Sequence, residues 1–266
     1  MLAFCSISAL DRSLAAAAEV AAGAGLEGLE VTAQAPHLAP DADVAAARAA
    51  ARTVREVGLE VVAFGSYLGR FGGRERRDAE HAAALAEALG APLLRVWAEP
   101  GEDGAGFDAI VDLLRAACDA AAPSGITVVI ERHLGSFADT PARIAALLAA
   151  IDRPNVGLNY QVLDFLPADA APLQAADAAA LAGGARYFHL KNYQRNDDRR
   201  GPLLPGGSLR NGVLDCRAIL AAGLGAGYAG PLTIEFLAAD ARPTEEKLAD
   251  DVAFVRSVLA ELGAAR

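Results

Sequence analysis

Thr127-Val128-Val129-Ile130-Glu131 is a short apolar run that ends in a carboxylate. A buried parallel strand has this pattern where its C-terminal end opens into an active site. Three later runs, Val156–Gln161, Arg186–His189 and Pro231–Glu235, end in an amide, an imidazole and a second carboxylate. Helical patterns separate the runs, so we expect the four terminal polar side chains to converge at one mouth of a barrel.

Strand-like runs occur eight times along the chain and alternate with Ala- and Leu-rich segments of helical periodicity. This alternation favours a closed parallel (β/α)8 TIM barrel, an α/β fold, over a doubly wound sheet. The length of 266 residues fits one such barrel, so we expect residues 1–266 to form a single domain. The predicted strands are Leu2–Ser6, Gly28–Val31, Leu59–Phe64, Leu93–Trp97, Thr127–Glu131, Val156–Gln161, Tyr187–Leu190 and Leu232–Glu235.

Glycines punctuate this alternation. Gly58, Gly90, Gly125 and Gly227 each follow a helical pattern and precede a strand. A helix commonly ends on a residue in the left-handed region, which glycine adopts without a steric penalty. We therefore predict left-handed backbone at all four positions.

The chain carries a formal net charge of −10. Nucleic-acid binding depends on a basic footprint, so we expect no nucleic-acid partner and favour a small neutral or polyhydroxylated substrate. Although 53% of the residues are hydrophobic, no apolar stretch reaches the roughly 18 residues of a membrane span. The first residues resemble a strand and lack the basic region of a signal peptide, which predicts a cytoplasmic protein. Homo-oligomer formation stays open.

The chain has three cysteines, Cys5, Cys118 and Cys216. They are far apart and form no CxxC pair, which is the spacing typical of zinc and redox motifs. The pattern therefore predicts reduced, structural thiols.

Two carboxylates at the barrel mouth, Glu131 and Glu235, repel each other unless a cation or a shared proton relieves them. A divalent metal ion is the simplest relief. Oxygen-rich ligation with one imidazole suits Mn²⁺, Mg²⁺ or Co²⁺ better than a structural zinc, although Zn²⁺ is also compatible. The alternative is that each glutamate pairs with an inward-pointing Arg or Lys.

Several motifs resemble, in order, those of the xylose-isomerase-like sugar isomerase/epimerase superfamily. They are Glu131-Arg132-His133, Asn155–Leu158, His189-Leu190-Lys191 and Gly227–Glu235, and Gly212–Asp215 is similar to the segment that leads into the family's last helix. The similarity extends over essentially the whole chain. It implies a divalent metal held by residues of strands five to eight, which are here Glu131, Gln161, His189 and Glu235.

Gln161 departs from that pattern, because the family has Asp at this position. A glutamine can coordinate through its amide oxygen but adds no negative charge to the site. Three interpretations follow: Gln161 is a neutral ligand, Asp164 replaces it from the loop, or the metal has been lost. Asp164 also stands where relatives often have a substrate-contacting His, which makes it a candidate for substrate binding.

Further substrate-binding candidates lie on or near the same strand ends. His133 lies two residues after Glu131 and on the same side. Lys191 shares the face of His189 and could neutralise the carboxylates or polarise a carbonyl. Arg195 follows at a spacing where some ketose epimerases have a substrate-binding Arg, although a solvated loop Arg is the alternative. Trp97 could form an apolar wall for a sugar ring.

Two further predictions concern the same end of the barrel. Arg95 and Glu30 are expected to form an ion pair inside it, because alternate strands contribute to the same interior layers. The segment Arg195–Asn211 is long and rich in Gly, Pro and charged residues. A loop of this kind on a catalytic face is usually a lid or a substrate clamp.

These features predict an enzyme that removes a proton next to a carbonyl of a hydroxylated ketone. Glu131 and Glu235 would be ligands and acid/base groups of a metal-dependent isomerase or epimerase acting through an enediolate. The first alternative is a dehydratase of a cyclic keto-polyol, in which the same enolate expels a β-hydroxyl. The second is a non-catalytic sugar-binding barrel without metal. DNA-repair endonucleases share this fold but need a His-rich zinc site. This chain has only four His, so we do not expect an endonuclease.

Overall fold

The computed structural model describes residues 1–71, 73–100, 106–163, 171–194 and 203–264. In these ranges eight parallel strands close into a barrel, in the order β1-β10-β7-β6-β5-β4-β3-β2, which confirms the predicted (β/α)8 fold. The barrel strands are β1 (Leu2–Cys5), β2 (Gly28–Thr32), β3 (Glu60–Gly65), β4 (Leu93–Val96), β5 (Thr127–Glu131), β6 (Val156–Tyr160), β7 (Ala185–Leu190) and β10 (Leu232–Ile234).

Helices connect the strands and cover the outside of the barrel. They are α1 (Leu14–Gly23), α2 (Val44–Glu56), α3 (Arg76–Leu89), α4 (Phe107–Ala121), α5 (Pro141–Ile151), α6 (Leu173–Leu181), α7 (Cys216–Gly225) and α8 (Thr244–Glu261). In the described part of the chain, no helix combines the length and the apolarity that crossing a membrane would require.

Local sequence signals set the helix ends. Side-chain oxygens of Ser13, Asp43 and Thr140 accept hydrogen bonds from main-chain N–H groups in the first turns of α1, α2 and α5. Asp215 caps α7 in the same way, so the Gly212–Asp215 segment leads into α7 and not into the last helix, α8. The four predicted left-handed glycines all have positive φ, between 68° and 96°.

A small apolar layer lies inside the barrel, beneath the polar residues at the strand ends. Leu93, Val129 and Tyr187 belong to a small buried cluster that is separate from the main core. Because side chains alternate along a strand, Val129 and Glu131 point to the same side, as do Tyr187 and His189. The cluster therefore closes the barrel beneath the polar residues at its C-terminal end.

The predicted lid segment Arg195–Asn211 contains an additional strand. Here β8 (Asn192–Gln194) pairs antiparallel with β9 (Leu204–Gly207) outside the barrel. Two candidate substrate-binding residues, Arg195 and Asp164, lie outside the described residues. The lid hypothesis stays a prediction.

Candidate active site

Most of the predicted site residues meet at the C-terminal end of the barrel. A cavity of about 260 Å³ opens there, and its lining includes Glu131, His133, Lys191, Glu235 and Trp97. This volume lies below the ~300–1,000 Å³ typical of sites for drug-sized molecules, and it suits a small substrate.

Both remaining predicted metal ligands, Gln161 and His189, are buried beside the cavity carboxylates. Gln161 follows β6 and donates its amide Nε2–H to Glu131 Oε1 at 2.9 Å and to the carbonyl oxygen of Arg132 at 2.7 Å. This orientation leaves Gln161 Oε1 without a hydrogen-bond partner among the described residues. The amide oxygen is therefore available to a cation.

Arg132, the middle residue of the Glu131-Arg132-His133 motif, supports this geometry without lining the cavity. It is buried and contacts the carboxylate of Asp177. Its Nη1 also donates to the main-chain oxygen of Gln161 at 3.3 Å. Arg132 thus ties the ends of β5 and β6 together.

A buried ion-pair network crosses the barrel interior. Arg95 Nε donates to Glu30 Oε1 at 2.7 Å, which confirms the predicted pair, and Arg95 Nη1 contacts Glu131 Oε2. Glu30 Oε2 accepts hydrogen bonds from the Tyr187 hydroxyl at 2.8 Å and from His189 Nε2 at 2.6 Å. Glu30 therefore fixes the ring orientation of His189, whose other nitrogen, Nδ1, lies 3.4 Å from Glu235 Oε1.

Glu235 has cationic neighbours of its own. Lys191 Nζ lies 3.3 Å from Glu235 Oε2. This contact is an ion pair without hydrogen-bond geometry, because Oε2 has no hydrogen-bond partner in the described part of the chain. Each of the two cavity glutamates therefore contacts an inward-pointing cationic side chain, Arg95 or Lys191. This is the arrangement that the alternative to a metal site predicts. Arg95 and Lys191 offset part of the charge that a metal would otherwise balance alone.

The surroundings of Glu131 and Glu235 shift the pKa values of the two carboxyl groups in opposite directions. Burial raises the pKa of Glu131, and the charge of Glu235 adds to this effect, while Arg95 opposes it. Burial also acts to raise the pKa of Glu235, but His189 and Lys191 outweigh it and hold that pKa well below its usual range. Carboxylates with separated pKa values are the usual arrangement for acid and base roles in one site.

The Glu30–His189 pair is charged for the same reasons. Burial opposes ionisation of Glu30, but Arg95 and His189 prevail and lower its pKa to about 2. Burial likewise disfavours the His189 cation, yet Glu235 and Glu30 raise the His189 pKa to about 9. A metal ion bound to His189 Nδ1 would replace the proton on that nitrogen.

The donor set fits a divalent cation. Gln161 Oε1 and Glu235 Oε2 are buried oxygens without hydrogen-bond partners among the described residues, and His189 presents Nδ1 on the same side as Glu235. Glu131 can add its carboxylate only by sharing it with Arg95 and Gln161.

One side of the cavity is an aromatic wall that contains Trp97, the predicted candidate, and three residues that the strand pattern did not predict. The Tyr67 and Phe71 rings stack at 4.2 Å between centroids, and the guanidinium carbon of Arg70 lies 4.3 Å from the centroid of the Trp97 ring. His133 meets Trp97 edge to face at 5.1 Å. Tyr67, Arg70 and Phe71 follow β3 in an irregular segment, so no periodicity marks them.

Gly65, at the end of β3, leaves the space in which the ion-pair network is packed. A Cβ atom at this position would overlap Glu30 Oε1 and lie 2.6 Å from Arg95 Nη2. Both side chains are buried and held by other partners, so neither can move away without breaking a contact.

We therefore expect Gly65→Ala to lower the free energy of unfolding by about 2 kcal/mol, the cost of overpacking a filled interior. Chemical denaturation of both proteins measures this. Gly23→Ala is the control, because a Cβ there meets nothing within 4 Å. A Gly65→Ala protein as stable as the control variant would show that the network is loosely packed.

Residues 18–258 match the family model described as a xylose isomerase-like TIM barrel. No curated protein matches the sequence. A xylose isomerase-like TIM barrel protein from Mycobacterium smegmatis, solved in complex with magnesium, is similar with a TM-score of 0.74 and 19% identity, over 93% of this chain and 88% of that one.

Two further similar structures are of proteins described as enzymes. One is a probable 3-DHS dehydratase involved in petrobactin synthesis from Bacillus anthracis, with a TM-score of 0.70 and 19% identity over 96% of this chain and 98% of that one. The other is a D-allulose 3-epimerase from Methylomonas sp., with a TM-score of 0.69 and 18% identity over 97% of both chains. At these identities the likeness establishes the fold.

Proposed function

Because the chain belongs to the xylose isomerase-like TIM barrel family, we propose that it is a divalent-metal-dependent isomerase or epimerase of a keto sugar or related polyhydroxy ketone. The observation that carries this proposal is the placement of Glu131, Glu235 and Lys191 around one small cavity at the C-terminal end of the barrel. The family and its structural neighbours support an enzyme in general.

The strand order supports an acid/base pair. Glu131 ends β5 and Glu235 follows β10, and two strands, β6 and β7, separate them around the barrel. The carboxylates therefore approach the cavity from different sides. Epimerisation and aldose–ketose isomerisation both need a proton removed at one position and returned at another face or atom.

We assign proton abstraction to Glu131, because burial favours its protonated form and so makes it the better proton acceptor of the pair. Glu235 stays ionised beside Lys191 and His189. Lys191 lines the cavity, and we expect it to donate a hydrogen bond to a substrate oxygen as negative charge develops on that oxygen.

Glu131, Gln161, His189 and Glu235 would hold the metal ion. When bound, a divalent cation stabilises the negative charge of an enediolate as a Lewis acid. The protein supplies a dry, fixed surrounding for that charge, because all four of these residues are buried.

We assign substrate recognition to the aromatic wall and to His133 beside it. Trp97 and Tyr67 would pack against the apolar face of a sugar, and His133 would contact its hydroxyls. We keep Arg195 and Asp164 as proposed contacts from the two segments outside the described residues.

A dehydratase of a cyclic keto-polyol is the second candidate. It is favoured by the similarity to the probable 3-DHS dehydratase, which is as strong as the similarity to the epimerase. The same base and the same cation serve both reactions. They differ after proton removal, when the enolate either regains a proton or expels a β-hydroxyl.

Deuterium exchange separates the two candidates. The protein is incubated in D₂O with Mn²⁺ and a panel of ketoses and keto-inositols, and the products are followed by NMR and mass spectrometry. Solvent deuterium on carbon without loss of water supports an isomerase or epimerase, and loss of water supports the dehydratase. If no substrate in the panel shows either exchange or elimination, the proposed chemistry is contradicted.

The replacement Gln161→Asp tests the amide as a ligand. If Gln161 Oε1 binds the cation, a carboxylate at this position adds a negative charge beside it, and metal affinity should rise by about tenfold or more. Isothermal titration of both proteins with Mn²⁺ at one pH measures the change. Gln174→Glu is a control, because Gln174 is also a buried glutamine but contacts Arg132 and Leu163 instead of Glu131.

Equal affinities of Gln161→Asp and the unaltered protein would place residue 161 outside the metal's ligand set. Asp164 would then become the next residue to replace. Activity need not rise with affinity, because an extra negative ligand makes the cation a weaker Lewis acid.

A further inference from the structure

Cys5 lies against the proposed metal site. It is the last residue of β1 and is fully buried, and β1 pairs directly with β10, which carries Glu235 just beyond its end. Cys5, His189 and Glu235 each offer one potential ligand atom, and these three atoms lie within 4.8 Å of one another. A thiol, an imidazole and a carboxylate at these separations can hold one cation after small side-chain adjustments.

On this side of the site the carboxylate of Glu235 has longer contacts than that of Glu131: Oε1 lies 3.4 Å from His189 Nδ1, and Oε2 lies 3.3 Å from Lys191 Nζ. Glu235 Oε2 has no hydrogen-bond partner among the described residues. On the opposite side, both oxygens of Glu131 are engaged, one by Gln161 and the other by Arg95. A cation that took the place of Lys191 beside Glu235 would therefore meet a less tightly held carboxylate near β1 and β10 than near β5.

We propose that the Cys5 Sγ atom is a ligand of the divalent ion, together with His189 and Glu235. The thiol proton leaves to solvent as the sulfur–metal bond forms, and the thiolate supplies the negative charge that Gln161 lacks. Thiolate ligands favour Zn²⁺ and Co²⁺ over Mg²⁺, so the site selects the softer ions. The inference depends on the metal-binding part of the proposed function and not on the reaction.

The other two cysteines provide matched controls. Cys118 is buried in α4, and Cys216 is buried at the start of α7. Neither belongs to the group with His189 and Glu235. Cys118→Ser therefore removes a buried thiol of the same chain without touching the proposed ligands.

Cobalt titration tests the proposal directly. The full chain, kept reduced and stripped of metal, is titrated with Co²⁺ and followed by absorption. A thiolate ligand produces a sulfur-to-cobalt charge-transfer band in the near ultraviolet, which nitrogen and oxygen ligands do not. We expect the band in the unaltered protein and in Cys118→Ser, and its loss in Cys5→Ser and Cys5→Ala.

Competition titrations add the selectivity. Cys5→Ala should lower Zn²⁺ affinity by more than about tenfold and change Mg²⁺ affinity less. Circular dichroism and thermal unfolding confirm that each variant is folded, and Cys5→Ser serves where the alanine variant is too unstable.

The outcomes separate this inference from the proposed function. If Co²⁺ binds without a charge-transfer band, or if the band survives in Cys5→Ala, Cys5 is not a ligand and the proposed metal enzyme stands. If no divalent ion binds the unaltered protein, both proposals fail. A band confined to proteins that keep Cys5 supports the thiolate site.

Discussion

Replacing Arg95 with methionine is expected to lower the free energy of unfolding by about 3–5 kcal/mol, the usual cost of removing one partner from a buried ion pair. Arg95 contacts both Glu30 and Glu131 in the barrel interior. Methionine fills much of the same space, so the loss would come mainly from two buried carboxylates that keep no guanidinium partner.

Urea unfolding measures this, with Arg76→Met as the control. Arg76 forms an exposed pair with Glu80, with 74% of its side chain accessible. An exposed pair of this kind contributes about 0.3–0.5 kcal/mol. Adding Glu131→Gln to Arg95→Met should restore part of the stability, because it removes one of the two carboxylates that lose the guanidinium, while Glu30 keeps His189 and Tyr187. Similar losses for Arg95→Met and Arg76→Met would contradict the network.

The second large effect is expected for Glu235→Gln. The variant keeps the shape of the side chain but removes the carboxylate that contacts both Lys191 and His189. Metal affinity should fall by more than the roughly 10–100-fold typical of changes outside the ligand set. Deuterium exchange into substrate should fall by about 10²–10⁴-fold, the usual contribution of one acid/base group.

Metal analysis after reconstitution with Mn²⁺ and proton-exchange kinetics give the two readouts. Glu60→Gln is the control, because Glu60 stands exposed at the start of β3, far from the cavity end of its strand. A Glu235→Gln protein that retains full metal content would remove Glu235 from the ligand set. A lower exchange rate at unchanged metal content would assign Glu235 to proton transfer alone.

The sequence predicted the barrel well because buried parallel strands have a simple pattern. Runs such as Thr127–Glu131 are apolar throughout and end abruptly in a polar residue, so both the strand and its functional end are visible. The same rule brought Glu131, His189 and Glu235 to one end of the barrel. It also placed Arg95 and Glu30 in one interior layer, where they form the predicted pair.

Other parts of the site depend on three-dimensional fit that a local pattern does not contain. The contact between Arg95 and Glu131 requires the space left by Gly65 on a third strand. The part of the aromatic wall that was not predicted lies in Tyr67–Phe71, an irregular segment without periodicity, whereas Trp97 was a candidate from the sequence. Phe236 has a φ of 56°, a conformation that a bulky residue rarely adopts, and nothing in its sequence neighbourhood predicts it.

The hairpin strand β9 was not predicted for a different reason. Its sequence, Leu204-Pro205-Gly206-Gly207, consists largely of residues that are depleted in strands. Pairing with β8 overrides this weak local preference.

The ion-pair network also bears on how the barrel folds. Glu30 and His189 are 159 residues apart, and β1 and β10, which close the sheet, come from opposite ends of the described chain. Forming contacts of such long sequence separation costs loop-closure entropy before the contacts can compensate for it. An open sheet that had already buried Glu30 would hold its charge without the opposing imidazole. We therefore expect partly closed barrels, in which Glu30 has Arg95 but not His189, to be less stable, so that residues proposed for chemistry also favour the final closure.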